Sequence, residues 1–129
     1  MQTRIKAHNQ YASVAASTRA EGADPHRLVA LLFEECLTCL KRVELSLMND
    51  AGDLAGTAAS KARAILDALS GSLDFEQGGR IADDLAAIYD YCKNRLTHAV
   101  TTRDGNAARE AHGILAEIAS GWAAIGQSK

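Results

Sequence analysis

Proline occurs once in the 129 residues, at position 25, and aromatic residues make up only 5% of the chain. Nothing downstream of Pro25 can therefore break a helix by removing a backbone donor. The apolar 47% is carried mostly by alanine, leucine and isoleucine, a mixture that favours helix over sheet. No apolar run reaches the roughly 18 residues of a membrane-spanning helix, and the opening MQTRIKAHNQ has no apolar signal-peptide core. The expected location is the cytosol, without membrane insertion. A positive excess is also missing: 14 basic residues stand against 16 acidic ones, a formal charge of -2. That disfavours nucleic-acid binding and leaves no polybasic patch for a membrane surface. There is no Walker loop, HExxH or GxSxG pattern, and no inward Glu with a Glu-x-x-His pair for a di-iron centre. No cofactor and no enzymatic activity are expected.

What is present is helical periodicity, densest between Ser72 and Leu96. Ile81, Leu85, Ile88, Tyr89, Cys92, Leu96 and Val100 recur at the three- and four-residue steps of one helical face. Glu76-Gln77-Gly78-Gly79 precedes them, and paired glycines favour a helix stop. A turn is expected there, with Leu73 and Phe75 at the end of the preceding helix packing back across it.

The rest of the chain falls into place around this hairpin. Residues 1–23 read as an arm or short cap helix plus linker, with Ile5, Tyr11 and Val14 scattered among polar residues. Asp24-Pro25 is a helix start, with a capping carboxylate followed by a residue that needs no donor. The first helix then carries Leu28, Leu31, Leu32, Cys36, Cys39, Leu40, Val43 and Leu47 on its apolar face. Asn49 to Gly52 ends it, and Asp53 is the expected cap of a second helix running to about Ser72. That helix shows Leu54, Ala55, Ala58, Ala62, Ile65, Leu66 and Leu69 on its face. Its small residues either let helices approach closely or leave a shallow groove for a foreign helix. After Asp104-Gly105, Asn106 is the expected cap of a fourth helix, with Ala107, Ala111, Ile114, Leu115, Ile118, Trp122 and Ile125 on its face and a frayed end from Gly126. Such short turns require antiparallel neighbours. The expected architecture is all-α: one domain spanning residues 1–129, with an antiparallel four-helix bundle over residues 24–126.

Two motifs invite a chemical reading. Cys36-Leu37-Thr38-Cys39 spells a CxxC, but a redox pair draws its low thiol pKa from a helix N-terminus, and Cys36 lies well inside the first helix. A lone distant Cys92 does not complete a zinc site. Buried thiols in a reducing compartment are expected. Ala111-His112-Gly113 resembles a histidine phosphotransfer site, yet Leu115 and Ala116 fill the turn where such bundles place a lysine and a glycine, so that turn supplies no cation for phosphate. Of Tyr89 and Tyr91, residues two apart point in different directions; Tyr89 continues the apolar stripe, and Tyr91 is the exposed aromatic of a helix-in-groove binder.

Taken together, Leu73-Asp74-Phe75-Glu76, Gly78-Gly79, Ile81-Ala82, Leu85, Ile88-Tyr89-Asp90-Tyr91 and Arg95-Leu96 resemble the central signature of the flagellin-specific export chaperones of the bacterial flagellum, the FliS family. Tyr11, Val14, Pro25 and Trp122 also match its pattern. The linker before Pro25 is longer than usual, Asp24 stands where serine is common, and Phe33 replaces a frequent tyrosine. The resemblance implies a bundle that binds the disordered C-terminal segment of flagellin, prevents premature polymerisation, and presents it to the cytoplasmic domain of the flagellar export gate. It further implies that the N-terminal arm occupies part of the groove when the client is absent. On this reading the partner-binding candidates are Tyr11 and Val14 in the arm and Ile65, Leu69, Ile81, Leu85, Ile88, Tyr89 and Tyr91 in the groove. A general helical interaction or dimerisation module, and a phosphotransfer bundle using His112, are the alternatives.

Overall fold

The computed structural model describes residues 24–127, and the side chains of residues 24–125. The expected arm, with Tyr11 and Val14, lies outside the described residues. Four helices follow one another: α1 (Pro25–Met48), α2 (Gly52–Gly71), α3 (Phe75–Thr102) and α4 (Gly105–Gln127). Among the described residues there is no strand. Helix α1 packs on α2 and α4, and α3 packs on the same two. The helices thus close a ring in chain order, each antiparallel to its neighbours, which is the four-helix bundle that the periodicity predicts.

Capping decides where each helix begins. Asp24 accepts a hydrogen bond from the Arg27 amide at 2.8 Å, with Pro25 in the first turn, as the Asp-Pro pair predicts. The other starts differ in detail from expectation. Helix α2 begins after Ala51 with no side-chain cap, and Asp53 sits inside its first turn, where its charge favours the positive helix end. At α4, the cap is Asp104 rather than Asn106: its carboxylate accepts from the Asn106 amide at 3.0 Å. That helix also continues through Gly126 to Gln127 instead of fraying there.

The largest correction concerns the glycine pair. The chain reverses at Ser72–Asp74, not at Gly78–Gly79. Asp74 accepts from the Gln77 amide at 3.1 Å and catches one helical turn before the glycines, so Phe75 opens α3 rather than closing α2. Gly79 then absorbs the break inside the helix, with φ 48° and ψ -122°. Such a backbone conformation is strained for any residue with a Cβ. Asp50 and Arg103, both with φ 57°, turn the chain at the opposite end of the bundle.

The core is graded along the bundle axis. Toward the end where α1 and α3 finish and α2 and α4 begin, the buried set is rich in small residues: Ala55, Ala58, Ala59 and Ala62 from α2, Ala99 from α3, and Ala107, Ala108 and Ala111 from α4, packed with Val43 and Leu96. Their side chains are single methyl groups, which permit close helix packing. The alanine stripe of α2 is therefore sealed inside the bundle and does not line a groove. Leu54, expected on the same face, is 63% exposed. Leu32, Leu40, Leu66, Leu69, Leu96 and Leu115 are fully buried and contribute roughly 1.5–3 kcal/mol each.

The three cysteines are also buried. The Cys36 thiol reaches the Ala62 carbonyl at 3.8 Å and the Cys92 thiol the Ala111 carbonyl at 3.9 Å. Burial pushes the Cys36 and Cys39 thiols up and takes Cys92 to about 11. They remain protonated and unreactive near neutrality.

Each seam carries one bridging ion pair: Glu35–Lys61 at 2.6 Å, Asp67–Lys93 at 2.8 Å, Arg95–Glu110 at 2.9 Å and Glu44–Arg109 at 2.8 Å. The first three are largely solvated and worth at most about 1 kcal/mol each. Glu44 differs, because its side chain is 3% exposed and is held by both Arg109 and Lys41. The Arg109 hydrogen bond, reinforced by Lys41, lowers its pKa against the opposing effect of burial.

Three outcomes are expected. Leu66→Ala should lower stability by about 2–5 kcal/mol in denaturant titrations, and Gly79→Ala by about 1–3 kcal/mol. A carboxylate with a depressed folded-state pKa stabilises fully above its unfolded value of about 4.3, and that stabilisation is lost as pH falls through the lower folded value. Glu44→Gln should therefore cost about 1–2 kcal/mol at neutral pH. It should also flatten the loss of stability on acidification to about pH 3, read by urea unfolding.

Candidate functional site

The open end of the bundle lies opposite the alanine-packed end, where α1 and α3 begin and α2 and α4 finish. Here the residues are large, and they do not fill the space between the helices. A groove of about 750 Å³ results. Pro25, Leu28, Val29 and Phe33 of α1 form one wall; Leu69 and Ser72 of α2, with Leu73 and Asp74 of the connection, form the floor. Gly78, Ile81, Ala82, Leu85 and Tyr89 of α3 and Ile118, Gly121, Trp122 and Ile125 of α4 complete it. Among the described residues, Asp74 is the only carboxylate in this lining. Ile81 is 71% exposed, and Ile125 is also exposed, so large apolar surface stands open to water at the rim.

Two devices shape the groove. The first joins α1 to α4. The His26 and Trp122 rings stack with centroids 4.5 Å apart and planes within 6°. The Trp122 Nε1–H donates to the His26 carbonyl at 2.9 Å, and the His26 Nε2–H donates to the Trp122 carbonyl at 2.7 Å. This reciprocal pair fixes the ring tautomer and satisfies the indole donor. The second is the Gly79 break, which separates the turn bearing Phe75 from the long run of α3 bearing Leu85 and Tyr89.

Of the residues singled out from the sequence, Leu69, Ile81, Leu85 and Tyr89 line this groove. Tyr89 is 3% exposed and forms part of its inner surface. Ile65 lies in the core, and the half-buried Ile88 packs against the core without lining the groove. Tyr91 is exposed, as its register predicts, but it faces the outer seam of α3 and α4 and donates to Glu110, which also accepts from Arg95. That carboxylate raises the Tyr91 pKa, and the Tyr91 hydrogen bond in turn lowers that of Glu110. Tyr11 and Val14 lie outside the described residues.

Sequence reasoning left out Val29, Leu73 and Ile118 as groove residues. The signal was in the topology: antiparallel neighbours bring residues near 25–33 of α1 beside residues near 118–125 of α4, and apolar residues near those helix ends converge on one opening. Periodicity names a helical face without saying at which level the bundle stops filling it.

His112 is half-buried on α4. The following turn, Leu115-Ala116, supplies no cation, but α1 does, since Lys41 and Arg42 line the same shallow depression as the imidazole. Among the described residues, no cluster of His, Cys, Asp or Glu is arranged to hold a metal ion, and no helix is long and apolar enough to cross a membrane.

Comparison with known proteins agrees over nearly the whole chain. It is 39% identical to the flagellar secretion chaperone FliS of Salmonella typhimurium over 118 residues, covering 89% of this chain and 86% of the relative. It is 33% identical to the flagellar secretion chaperone FliSB of Pseudomonas aeruginosa over 121 residues, covering 94% and 96%. Identity to the Escherichia coli K12 flagellar secretion chaperone FliS is 30% over 118 residues, covering 91% and 87%. Residues 7–129 match the family model described as flagellar protein FliS, and the chain belongs to that family.

Proposed function

We propose that this chain is a cytosolic flagellar secretion chaperone whose open-end groove receives the disordered C-terminal segment of flagellin, holds it back from polymerisation, and hands it to the cytoplasmic domain of the flagellar export gate. The observation that carries this reading is the groove, lined mainly by apolar residues and rimmed by Ile81 and Ile125 standing in water. Family membership makes flagellin the client of choice.

The mechanism follows from the energetics of folding on binding. A disordered client loses conformational freedom as it docks and must recover that cost through apolar anchors. Each fully buried Leu, Ile or Val anchor supplies roughly 1.5–3 kcal/mol, so a few anchors spread along the groove suffice. In this reading Tyr11 and Val14 belong to an arm that competes for the same groove. Displacing it offsets part of the binding energy and keeps the client releasable.

Calorimetric titration with a flagellin C-terminal peptide should give binding at about one to one with a large negative heat-capacity change. Ile81→Asp adds a charge at an exposed position, so the bundle should remain folded by circular dichroism while affinity falls about tenfold or more. A variant lacking residues 1–18 should bind more tightly. The absence of peptide binding by the folded full-length chain would refute the proposal.

A further inference from the structure

A second surface lies away from the groove, along the outer seam of α1 and α4. Leu37, Thr38, Lys41, Arg42 and Leu45 of α1 and His112 of α4 line a shallow depression of about 440 Å³. Leu45 is 48% exposed, and Met48, one turn further along α1, is 62% exposed. Leu37, Lys41, Leu45 and Met48 fall at four-, four- and three-residue steps, so they form one stripe along the helix.

The charge around this stripe is predominantly positive. Lys41 and Arg109 present side chains 54% and 63% exposed, whereas Glu44 between them is 3% exposed and has both its oxygens engaged by these two cations. Arg42 adds another exposed cation. Glu34, one turn beyond Thr38, is the acid at the far end of the stripe. Three cations, Lys41, Arg42 and Arg109, thus stand around the apolar depression against two carboxylates, the buried Glu44 and the exposed Glu34 at its far end, on a chain whose formal charge is -2.

From this juxtaposition we infer that the α1–α4 seam is a second docking surface, and that its occupant is an acidic amphipathic helix of another protein. Apolar residues of that helix cover Leu37, Leu45 and Met48, and its flanking carboxylates meet Lys41, Arg42 and Arg109. A helix fits because the stripe is straight and about three turns long, roughly 16 Å. An acidic one fits because the cations are solvent-facing while Glu44, the carboxylate between Lys41 and Arg109, is already engaged by both, and Glu34 lies at the far end of the stripe. A second copy of this chain docked about a two-fold axis fits poorly, since it would set these cations against themselves.

The test uses the full chain and a synthetic amphipathic helical peptide of about 18 residues, with leucines along one face and glutamates flanking them. Its twin carries glutamine for glutamate. The glutamate peptide should bind saturably, weaken as salt rises, and shift amide resonances around Leu37, Leu45 and His112. Leu45→Asp and Arg42→Glu, both at exposed positions, should each weaken it about tenfold or more, and Ile81→Asp in the groove should leave it unchanged. Because flagellin-peptide binding is read through Ile81→Asp, failure here is distinguishable from failure of the groove reading. The inference is overturned by no binding of either peptide, by equal binding of the glutamine twin, or by binding that Ile81→Asp abolishes. Self-association of the chain that Leu45→Asp removes would overturn it as well, by assigning the face to a second copy.

Discussion

The packing of alanine between helices toward one end of the bundle is the constraint on which the rest depends. Eight buried alanines from three helices sit at that end, and an alanine seam lets helices come as near as their main chains allow. A bundle seamed by alanines toward one end, with larger residues toward the other, does not fill the far end equally well. The open groove is the geometric counterpart of the sealed end. The same residues that stabilise the bundle by packing therefore determine where it has surface to offer.

Four ion pairs, one per seam, set helix register around this core. Only Glu44–Arg109 involves a buried carboxylate, and it lies at the alanine end. The open end is closed instead by aromatic contact and main-chain hydrogen bonds between His26 and Trp122. The bundle is thus held by charge where it is tight and by ring stacking where it is wide. A stack with directional bonds tolerates an apolar neighbourhood better than an ion pair does, because the charged groups need not be desolvated.

Much of this was legible in residue order. Asp24-Pro25, the apolar faces of the four helices, the short connections and the buried Cys36, Cys39 and Cys92 all follow from spacing and capping chemistry. The glycine pair misled because its propensity is local, whereas Asp74 supplies a cap that starts the helix earlier and leaves Gly79 to accommodate the break. The alanines of α2 were ambiguous for a different reason: small residues serve both as filler-free seam and as shallow groove, and only the positions of α1 and α4 decide between them. Ile65, Ile88 and Tyr91 show the same limit within the site, since core, groove and outer seam draw on one apolar vocabulary.

The burial of every cysteine in the chain has a consequence for how the molecule can be followed in solution. All three thiols are sealed by packing and kept protonated, so a modifying reagent meets them only when the bundle opens. Their rate of modification is a clock for opening. With distinct thiols in α1 and α3, the clock also reports which part of the bundle comes apart first.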